Sequence, residues 1–244
     1  MLSESQKSEF KENGILVLPK FYDIKNEIIP ILEAIHQIIG LIIKRESLDI
    51  DHPKFTCETF DAGFNELIAI DRSLGGQIYD AVKQIPEFNR LIGKPEHTEV
   101  FKSLRRGSMP GVAGRGSGMR IDHPNDGVFN ANWHQEYFGQ LRSLDGLVFW
   151  SPLVSINYEI GPVKFCQGSH KGGLLPVVSR KDSNANNATQ LADEAHIIST
   201  YNQISPITNP GDAIVVDFLT VHASGTNVSN RSRWSMQIRY FNYN

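Results

Sequence analysis

His134 and Glu136 stand two positions apart in the stretch ANWHQEYF, and both are residue types that bind metal ions. Residues i and i+2 of a β-strand share a face, so a strand here would turn both side chains the same way and Gln135 to the opposite face. An imidazole and a carboxylate on one face can hold a metal ion. Two solvated polar residues on an outer strand would show the same pattern, so the pair alone leaves both interpretations open.

His222 supplies a third candidate ligand. It follows the apolar run AIVVDF, which is typical of a buried strand, and it begins a stretch rich in Ser, Gly and Asn. Two histidines and one carboxylate form the facial triad that suits non-haem Fe(II), with coordination positions left open for a co-substrate and dioxygen. The sequence therefore predicts that His134, Glu136 and His222 bind iron and form the catalytic centre.

Arg233 stands eleven residues after His222, at the start of the next predicted strand. From there its planar guanidinium can reach the same site and hold a carboxylate through two parallel hydrogen bonds. Ser224 can point alongside and donate a further hydrogen bond. Iron ligands beside a carboxylate clamp indicate a keto-acid co-substrate, 2-oxoglutarate. Arg231 is the rival for the clamp, whereas Arg239 is expected to be a barrel-wall or surface residue.

The elements that position these residues begin with a predicted helical part. Apolar residues recur at spacings of three and four where helices are expected, and Ser and Gly stand where a first helix would begin and end. The predicted elements are a helix capped by Ser3 or Ser5 that ends near Gly14, a buried strand over 15–19, a helix over 26–46, and a helical region over 74–93 that Pro86 breaks or kinks.

After about residue 97 the sequence is dominated by short β-prone runs, among them EVFKSL, ANWHQEYF and WSMQIRYF, separated by Gly, Pro, Asn and Asp. That rhythm predicts a sandwich, a barrel or a jelly roll.

The polar segment 181–195 is either an exposed linker or a lid over the site. We expect one domain over 1–244, in which a helical part of about 1–95 packs on a β core of about 97–244.

Composition limits the class of protein. The chain has 244 residues, 40% hydrophobic and 21% charged, with a net charge of −3, which argues against a nucleic-acid partner and gives no indication of a membrane partner. Cys57 and Cys166 form no disulfide framework, and the polar start carries no signal-peptide core, so a cytoplasmic location is expected.

The apolar run IIPILEAIHQIIGLII contains Glu33 and His36 and is interpreted as too short and polar to span a bilayer.

Taken in order, these motifs resemble the phytanoyl-CoA dioxygenase family of Fe(II)/2-oxoglutarate oxygenases. KENGILVLPKFY resembles the family's amino-terminal helix and strand, MRIDHP precedes the metal strand, and WHQE resembles the His-Gln-Asp motif. GPVKFCQGSHKGG resembles its Asn-Gly-Pro…Pro-Gly-Ser-His segment. The stretch from PGDAIVVDF to WSMQIRY resembles the closing block with the distal histidine and the arginine. The similarity covers most of the chain and is densest over 119–240.

The resemblance implies a mainly β fold, a double-stranded β-helix (jelly roll, cupin-like) core with flanking α-helices. It implies Fe(II) as the metal, 2-oxoglutarate as co-substrate and O2 as oxidant, with succinate and CO2 released as a small-molecule metabolite is hydroxylated. Desaturation, cyclisation or epimerisation would share the early steps. Carried over by position, His134, Glu136 and His222 bind iron, Arg233 and Ser224 hold the distal carboxylate of 2-oxoglutarate, and Met119 and Trp150 line its pocket.

Glu136 departs from the family pattern, which usually has Asp at this position. Its side chain is one methylene longer, so either the backbone must lie farther from the metal or the carboxylate must turn.

Two other classes of protein stay open on the residues alone: a jelly-roll binding module without turnover, and a zinc-dependent hydrolase that uses the same triad. Arg120 is a candidate for contact with an anionic substrate group, and His170 is expected to be a structural turn residue.

Overall fold

The first hundred residues fold mainly as helices and the rest mainly as strands. The computed structural model describes residues 2–114, 116–126, 130–140, 143–179 and 189–243. The helices are α1 (Glu4–Asn13), α2 (Ile29–Arg45, preceded by a π-helical turn over Ile24–Ile28), α3 (Phe64–Ile70), α4 (Arg72–Val82), α5 (Pro86–Ile92), α6 (Pro95–Leu104), α7 (Tyr137–Gln140) and α8 (Glu194–Thr200). The strands are β1 (Ile15–Leu18), β2 (Pro110–Val112), β3 (Gly118–Asp122), β4 (Gly146–Pro152), β5 (Lys164–Cys166), β6 (Val177–Ser179), β7 (Thr189–Leu191), β8 (Gln203–Ile204), β9 (Ala213–Asp217), β10 (His222–Ala223) and β11 (Arg233–Asn242).

Two antiparallel sheets form the core. The larger has the order β1-β9-β4-β11-β2, with β3 also paired to β11, and the smaller has the order β10-β5-β8. Strands β6 and β7 form a separate ribbon. Neighbouring strands of both sheets come from distant parts of the chain, as in a jelly roll. The predicted jelly-roll core with flanking helices is therefore confirmed.

Strand β11 separates the helical layer from the interior between the sheets. Trp234 lies against the helices, with its ring centroid 4.8 Å from that of Phe64, and Tyr240 donates a 2.8 Å hydrogen bond to the carbonyl of Ile92. The intervening residues Gln237 and Arg239 line the space between the sheets. This alternation follows from the two-residue period of a strand, and the sequence predicted it.

The amino terminus anchors the segment that leads to His222. Ser3 forms a capping box at the start of α1, and Gly14 ends the helix with φ +73°, as the sequence predicted. The Gly14 carbonyl accepts hydrogen bonds from Asp217 N and Thr220 Oγ1, both at 2.9 Å. A β-carbon on Gly14 would lie 2.3 Å from Thr220 Oγ1, so this close approach requires glycine.

Two elements cross the division predicted near residue 97 between a helical part and a β core. Residues 99–104, interpreted as β-prone, belong to α6, because Pro95 begins a helix and the spacing of His97, Val100 and Phe101 suits a buried helical face. Strand β1 lies in the supposed helical part but pairs with β9 in the main sheet. The amino-terminal part and the β core are therefore interwoven.

Two other segments carry predictions from the sequence. The helical region predicted over 74–93 is broken at Pro86, one of the two outcomes expected, and Pro86 stands in the first turn of α5, where its missing N–H costs nothing. In the segment 181–195, residues 181–188 lie outside the described residues. The remainder is not a loop throughout, since it contributes β7, which pairs with β6, and the start of α8. Its role as a lid stays a prediction.

One helical stretch, Ile24–Arg45, is long and apolar enough to cross a membrane by length and composition alone. The expectation that this region is too short is therefore wrong for the helix as it folds. Within the fold, however, α2 buries one face that includes Ile31, Ile35 and Ile39, each 0% exposed. A helix that packs into the core of a soluble protein can have the same length and the same apolar composition.

His97 joins α6 to the main sheet. Its side chain is fully buried, the Tyr22 hydroxyl lies 2.8 Å from Nε2, and its ring centroid is 4.5 Å from that of Phe149. Burial lowers the pKa of His97 from 6.5 to about 3, and the nearby charge of Lys94 acts in the same direction. The imidazole is therefore neutral in the folded protein at neutral pH.

We expect His97→Gln to flatten the acid dependence of stability. Between about pH 6.5 and 3 the unfolded chain binds a proton at His97 that the folded chain does not, so the free energy of unfolding falls as pH is lowered through this range. One such group lowers the free energy of unfolding by about 1.4 kcal/mol for each pH unit within this range. Urea unfolding at roughly pH 7.5 and 5.5 should show a loss about 1 kcal/mol smaller in the variant than in wild type. Equal losses in the two proteins would contradict this assignment.

Candidate active site

A cavity of about 590 Å³ lies between the two sheets. The main sheet contributes apolar and polar walls, and the smaller sheet contributes the end that carries His222. All three predicted metal ligands and three arginines line the cavity. The residues used below are Arg120, His134, Glu136, Trp150, His222, Ser224, Arg233, Gln237 and Arg239.

Backbone hydrogen bonds bring the three candidate ligands together. His134 N donates to His222 O and His222 N donates to His134 O, both at 3.0 Å, and Glu136 N donates to Phe218 O at 2.9 Å. One ligand atom from each of His134, Glu136 and His222 lies within 4.8 Å of the others. The structure thus places the predicted triad in one cluster.

The local structure around the pair His134–Glu136 differs from the predicted strand. His134 pairs only through the isolated bridge to His222, and a helical turn, α7, begins at Tyr137. Gln135 does turn away from the ligands. Its side chain accepts a hydrogen bond from Leu175 N at 2.9 Å and donates to two backbone carbonyls, so it ties the neighbouring loops to the metal-binding segment.

Both histidines are oriented in the same way. Nδ1 of His134 lies 2.7 Å from the carbonyl oxygen of Asn132, and Nδ1 of His222 lies 2.9 Å from the carbonyl oxygen of Thr220. A carbonyl can only accept, so each Nδ1 carries the hydrogen and each Nε2 keeps its lone pair. Hydrogen bonding of this kind fixes the tautomer of metal-binding histidines.

Burial and charge keep these groups in the protonation states that bind metal. Burial lowers the pKa of His134, and burial together with the neighbouring His134 lowers the pKa of His222 to about 3. Burial alone would raise the pKa of Glu136, but Arg239 and the two histidines outweigh it and hold that pKa at about 2. Two neutral imidazoles and a carboxylate form a donor set that fits Fe(II).

Arg239 is a site residue that sequence reasoning missed. Of the predicted barrel-wall or surface positions, the wall is the one found, and from it Arg239 Nε donates a 2.7 Å hydrogen bond to Glu136 Oε1 inside the cavity. Its other nitrogens donate to the carbonyl of Gly116 and to Gln237 Oε1. The alternation along WSMQIRYF was the available signal, since it put residue 239 on the same face as Gln237 and Arg233.

Arg233 lies in the cavity wall, but a carboxylate of the protein already holds it. Its Nε and Nη2 lie 3.1 and 2.8 Å from Asp122 Oδ2, and Nη1 donates to the carbonyls of Gly161 and Gly225. Arg120 binds the same carboxylate, with Nη2 2.8 Å from Asp122 Oδ1. The bidentate fork expected for a co-substrate is therefore largely engaged by Asp122.

Asp122 is the second residue that sequence reasoning missed. It is 3% exposed, and although burial opposes ionisation, the charges of Arg233 and Arg120 lower the pKa of its carboxyl group. Two guanidinium groups thus share one carboxylate. The signal was present in MRIDHP, where Arg120 and Asp122 stand two residues apart and share a strand face.

Of the other predicted co-substrate residues, two line the cavity and one does not. Trp150 and Ser224 line the cavity, and Ser224 Oγ accepts a hydrogen bond from Ala131 N at 3.2 Å. Met119 instead pairs in register with Met236 in the hydrophobic core on the helix-facing side. Its predicted place in the 2-oxoglutarate pocket is contradicted, because strand alternation turns its neighbour Arg120 into the cavity.

Arg231, the rival for the clamp, and His170, the expected turn residue, both have structural contacts. Arg231 forms a bidentate pair with Asp61 outside the cavity, with hydrogen bonds of 3.1 and 2.8 Å, so it does not compete with Arg233. Nε2 of His170 lies 3.1 Å from the carbonyl of Lys11 at the end of α1, which agrees with the expected structural role.

The family model for phytanoyl-CoA dioxygenase (PhyH) matches residues 10–235 of the chain. No curated protein matches it by sequence. Among solved structures it is similar to SnoK, a non-haem α-ketoglutarate-dependent carbocyclase from nogalamycin biosynthesis, with 16% identity and a TM-score of 0.60 over 99% of this chain and 84% of that one. The epimerase SnoN in complex with Fe³⁺, α-ketoglutarate and nogalamycin RO shows 15% identity and a TM-score of 0.59, over 98% and 83%. EctD from S. alaskensis, with 2-oxoglutarate and 5-hydroxyectoine, shows 16% identity and a TM-score of 0.61, over 99% and 76%.

Since the family model covers nearly the whole chain, the protein belongs to the phytanoyl-CoA dioxygenase family. It is an Fe(II)/2-oxoglutarate-dependent oxygenase, with iron as cofactor, 2-oxoglutarate as co-substrate and O2 as oxidant. The solved structures confirm the fold. The roles of the individual site residues stay predictions.

We expect His134→Ala and His222→Ala to lose Fe(II) while they remain folded. Both side chains face the cavity, so their loss removes a donor atom rather than core packing. Calorimetric titration with Fe(II) under anaerobic conditions should show affinity reduced by more than the roughly 10- to 100-fold typical of losing an outer partner of a ligand. His123→Ala is the control, since that histidine is absent from the ligand cluster. Wild-type affinity in either ligand variant would disprove the triad.

Proposed function

We propose that this protein oxidises a small-molecule metabolite, with hydroxylation as the outcome, at the expense of 2-oxoglutarate. The observation that carries the proposal is the constellation in one cavity: a buried His-Glu-His cluster beside an arginine-rich wall. His134, Glu136 and His222 would hold the iron, which, when bound, activates dioxygen and decarboxylates 2-oxoglutarate to succinate and CO2. The protein residues bind and orient the reactants and exclude water from the site.

The two arginines of the Arg120–Asp122–Arg233 cluster support a binding place for the distal carboxylate of 2-oxoglutarate. Guanidinium groups bind carboxylates through planar, charge-assisted hydrogen bonds, and two of them line the same cavity here. Ser224 adds a hydroxyl and Trp150 an apolar wall on the same cavity. Because Asp122 already occupies most of the Arg233 fork, we propose that the co-substrate meets the shared cluster rather than Arg233 alone.

The size and lining of the cavity support a small-molecule substrate. A volume of about 590 Å³ falls within the range of roughly 300–1,000 Å³ usual for such sites. Polar side chains, including Asn132 and Gln237, alternate with apolar ones, including Phe138 and Phe165, so a metabolite with both polar and apolar parts suits the walls. Cyclisation and epimerisation are the outcomes named for SnoK and SnoN, so product analysis decides between these and hydroxylation.

The cysteines support a reducing compartment such as the cytoplasm. Cys57 is exposed and Cys166 is buried, and both are free. Burial raises the pKa of the Cys166 thiol to about 11, so it is a packed thiol rather than a reactive one.

Succinate release tests the proposed reaction. With Fe(II), 2-oxoglutarate and air, we expect the wild-type protein to form succinate, and a metabolite library to contain compounds that accelerate it. Glu136→Gln should form little succinate, since it keeps the side-chain shape but loses the anionic ligand. Hydrolysis of a library compound with Zn(II) and without succinate would instead identify a zinc hydrolase. Binding of a compound without any turnover would identify a binding module.

Arg233→Lys should bind 2-oxoglutarate about 10- to 100-fold more weakly than wild type. Lysine keeps the charge but loses the planar fork, and a charge-assisted hydrogen bond contributes about 1.5–3 kcal/mol, where roughly 1.4 kcal/mol is tenfold. Anaerobic titration of the Fe(II) protein, followed by the metal-to-ligand charge-transfer band, measures this affinity. Arg231→Lys is the matched control, since its pair with Asp61 lies outside the cavity. Wild-type affinity in Arg233→Lys would disprove the proposed anchor.

A further inference from the structure

The two oxygens of the Glu136 carboxylate have different neighbours. Oε1 accepts hydrogen bonds from Arg239 Nε at 2.7 Å and from Gln140 Nε2 at 3.3 Å. Oε2 instead faces the histidines and lies 3.8 Å from His222 Nε2. One oxygen is therefore bound by protein donors, and the other is directed at the metal cluster.

Arg239 cannot follow the carboxylate if that group moves. Its Nη1 donates to the carbonyl of Gly116 and its Nη2 donates to Gln237 Oε1 at 2.5 Å. Its backbone lies in β11, paired with Val148 of β4, and its N–H donates to Ser117 Oγ at 3.1 Å. The position of Nε is thus set by the sheet and by two further hydrogen bonds.

The backbone of Glu136 is equally restrained. Its N–H donates to Phe218 O at 2.9 Å, and its carbonyl accepts from Gly139 N at 3.0 Å as α7 begins. The bridge between His134 and His222 fixes the preceding residues. With both backbones held, side-chain length decides whether the carboxylate reaches Arg239 and the metal cluster together, and one methylene changes the reach by about 1.5 Å.

We propose that Arg239 is a positioning residue that holds Glu136 Oε1, so that Oε2 alone is offered to the metal, and that this pairing makes glutamate rather than aspartate the required ligand in this chain. The inference rests on the proposed metal site at His134, Glu136 and His222. The shorter side chain of an aspartate at this position would have to give up either Arg239 or the metal. Binding through one oxygen also leaves the remaining metal positions to the co-substrate and dioxygen.

The affinity of a single Arg239 variant for metal is not diagnostic, because two effects oppose each other. The guanidinium orients the carboxylate, which favours metal binding, but its positive charge repels a divalent cation. A double-mutant cycle cancels the repulsion, since it compares the cost of shortening residue 136 with and without Arg239.

The cycle uses wild type, Glu136→Asp, Arg239→Gln and the double variant, with Co(II) as the probe. Dissociation constants come from calorimetry, and the visible d–d absorption of Co(II) reports the coordination. We expect Glu136→Asp to weaken Co(II) binding about 10-fold or more when Arg239 is present, and by less than about 3-fold in the Arg239→Gln background, a coupling of the size found for contacting residues. If Glu136→Asp weakens Co(II) binding by the same factor in both backgrounds, the inference is wrong.

Controls separate this inference from the proposed metal site. Arg231→Gln removes a comparable arginine–carboxylate pair outside the cavity and should leave the cost of Glu136→Asp unchanged. If His222→Ala binds Co(II) as wild type does, the metal site itself is wrong. If that variant loses Co(II) but the cycle shows no coupling, only the role of Arg239 is wrong. Should Arg239→Gln fail to fold by circular dichroism, Arg239→Lys replaces it, and the same coupling, smaller in size, is expected.

Discussion

The site depends on the reciprocal backbone bridge between His134 and His222. Its two hydrogen bonds of 3.0 Å join a turn that follows β3 to the short strand β10, two segments far apart in the chain. Ser224 N extends the pairing by donating to Ala131 O at 2.9 Å. Because each imidazole also donates through Nδ1 to a carbonyl two residues earlier, the same backbone that forms the bridge aims both Nε2 atoms.

Buried charge is the second constraint on the cavity. A carboxylate away from water is costly unless it is paired, and both carboxylates here, Glu136 and Asp122, are bound by arginine. The three arginines reach the cavity from one face of the main sheet, two from β11 and one from β3. Pairing therefore keeps the acidic groups ionised without a metal, and it brings guanidinium groups into the cavity.

The amino-terminal part contributes more to the site than its distance in sequence suggests. Strand β1 extends the main sheet beside β9, and the Gly14 carbonyl holds the turn that leads to His222. Helices α3 and α6 cover the outer face of β11, so the residues that alternate with its cavity-facing side chains are buried. The amino-terminal part, which the sequence predicted to pack on the β core, thus also contacts the segment that carries His222.

Sequence alone was sufficient for features that depend on local pattern. The two-residue period of WSMQIRYF assigned the faces of β11, Ser3 and Gly14 marked the ends of α1, and the order of the motifs identified the family and the three candidate ligands. Only the tertiary structure decided which charged groups meet: Arg239 with Glu136, and Asp122 with Arg233 and Arg120. It also decided that Met119 packs in the core rather than lining the cavity. The physical reason is that period and spacing describe neighbours within one element, whereas ion pairs and cavity walls depend on strand register between segments that no local pattern relates.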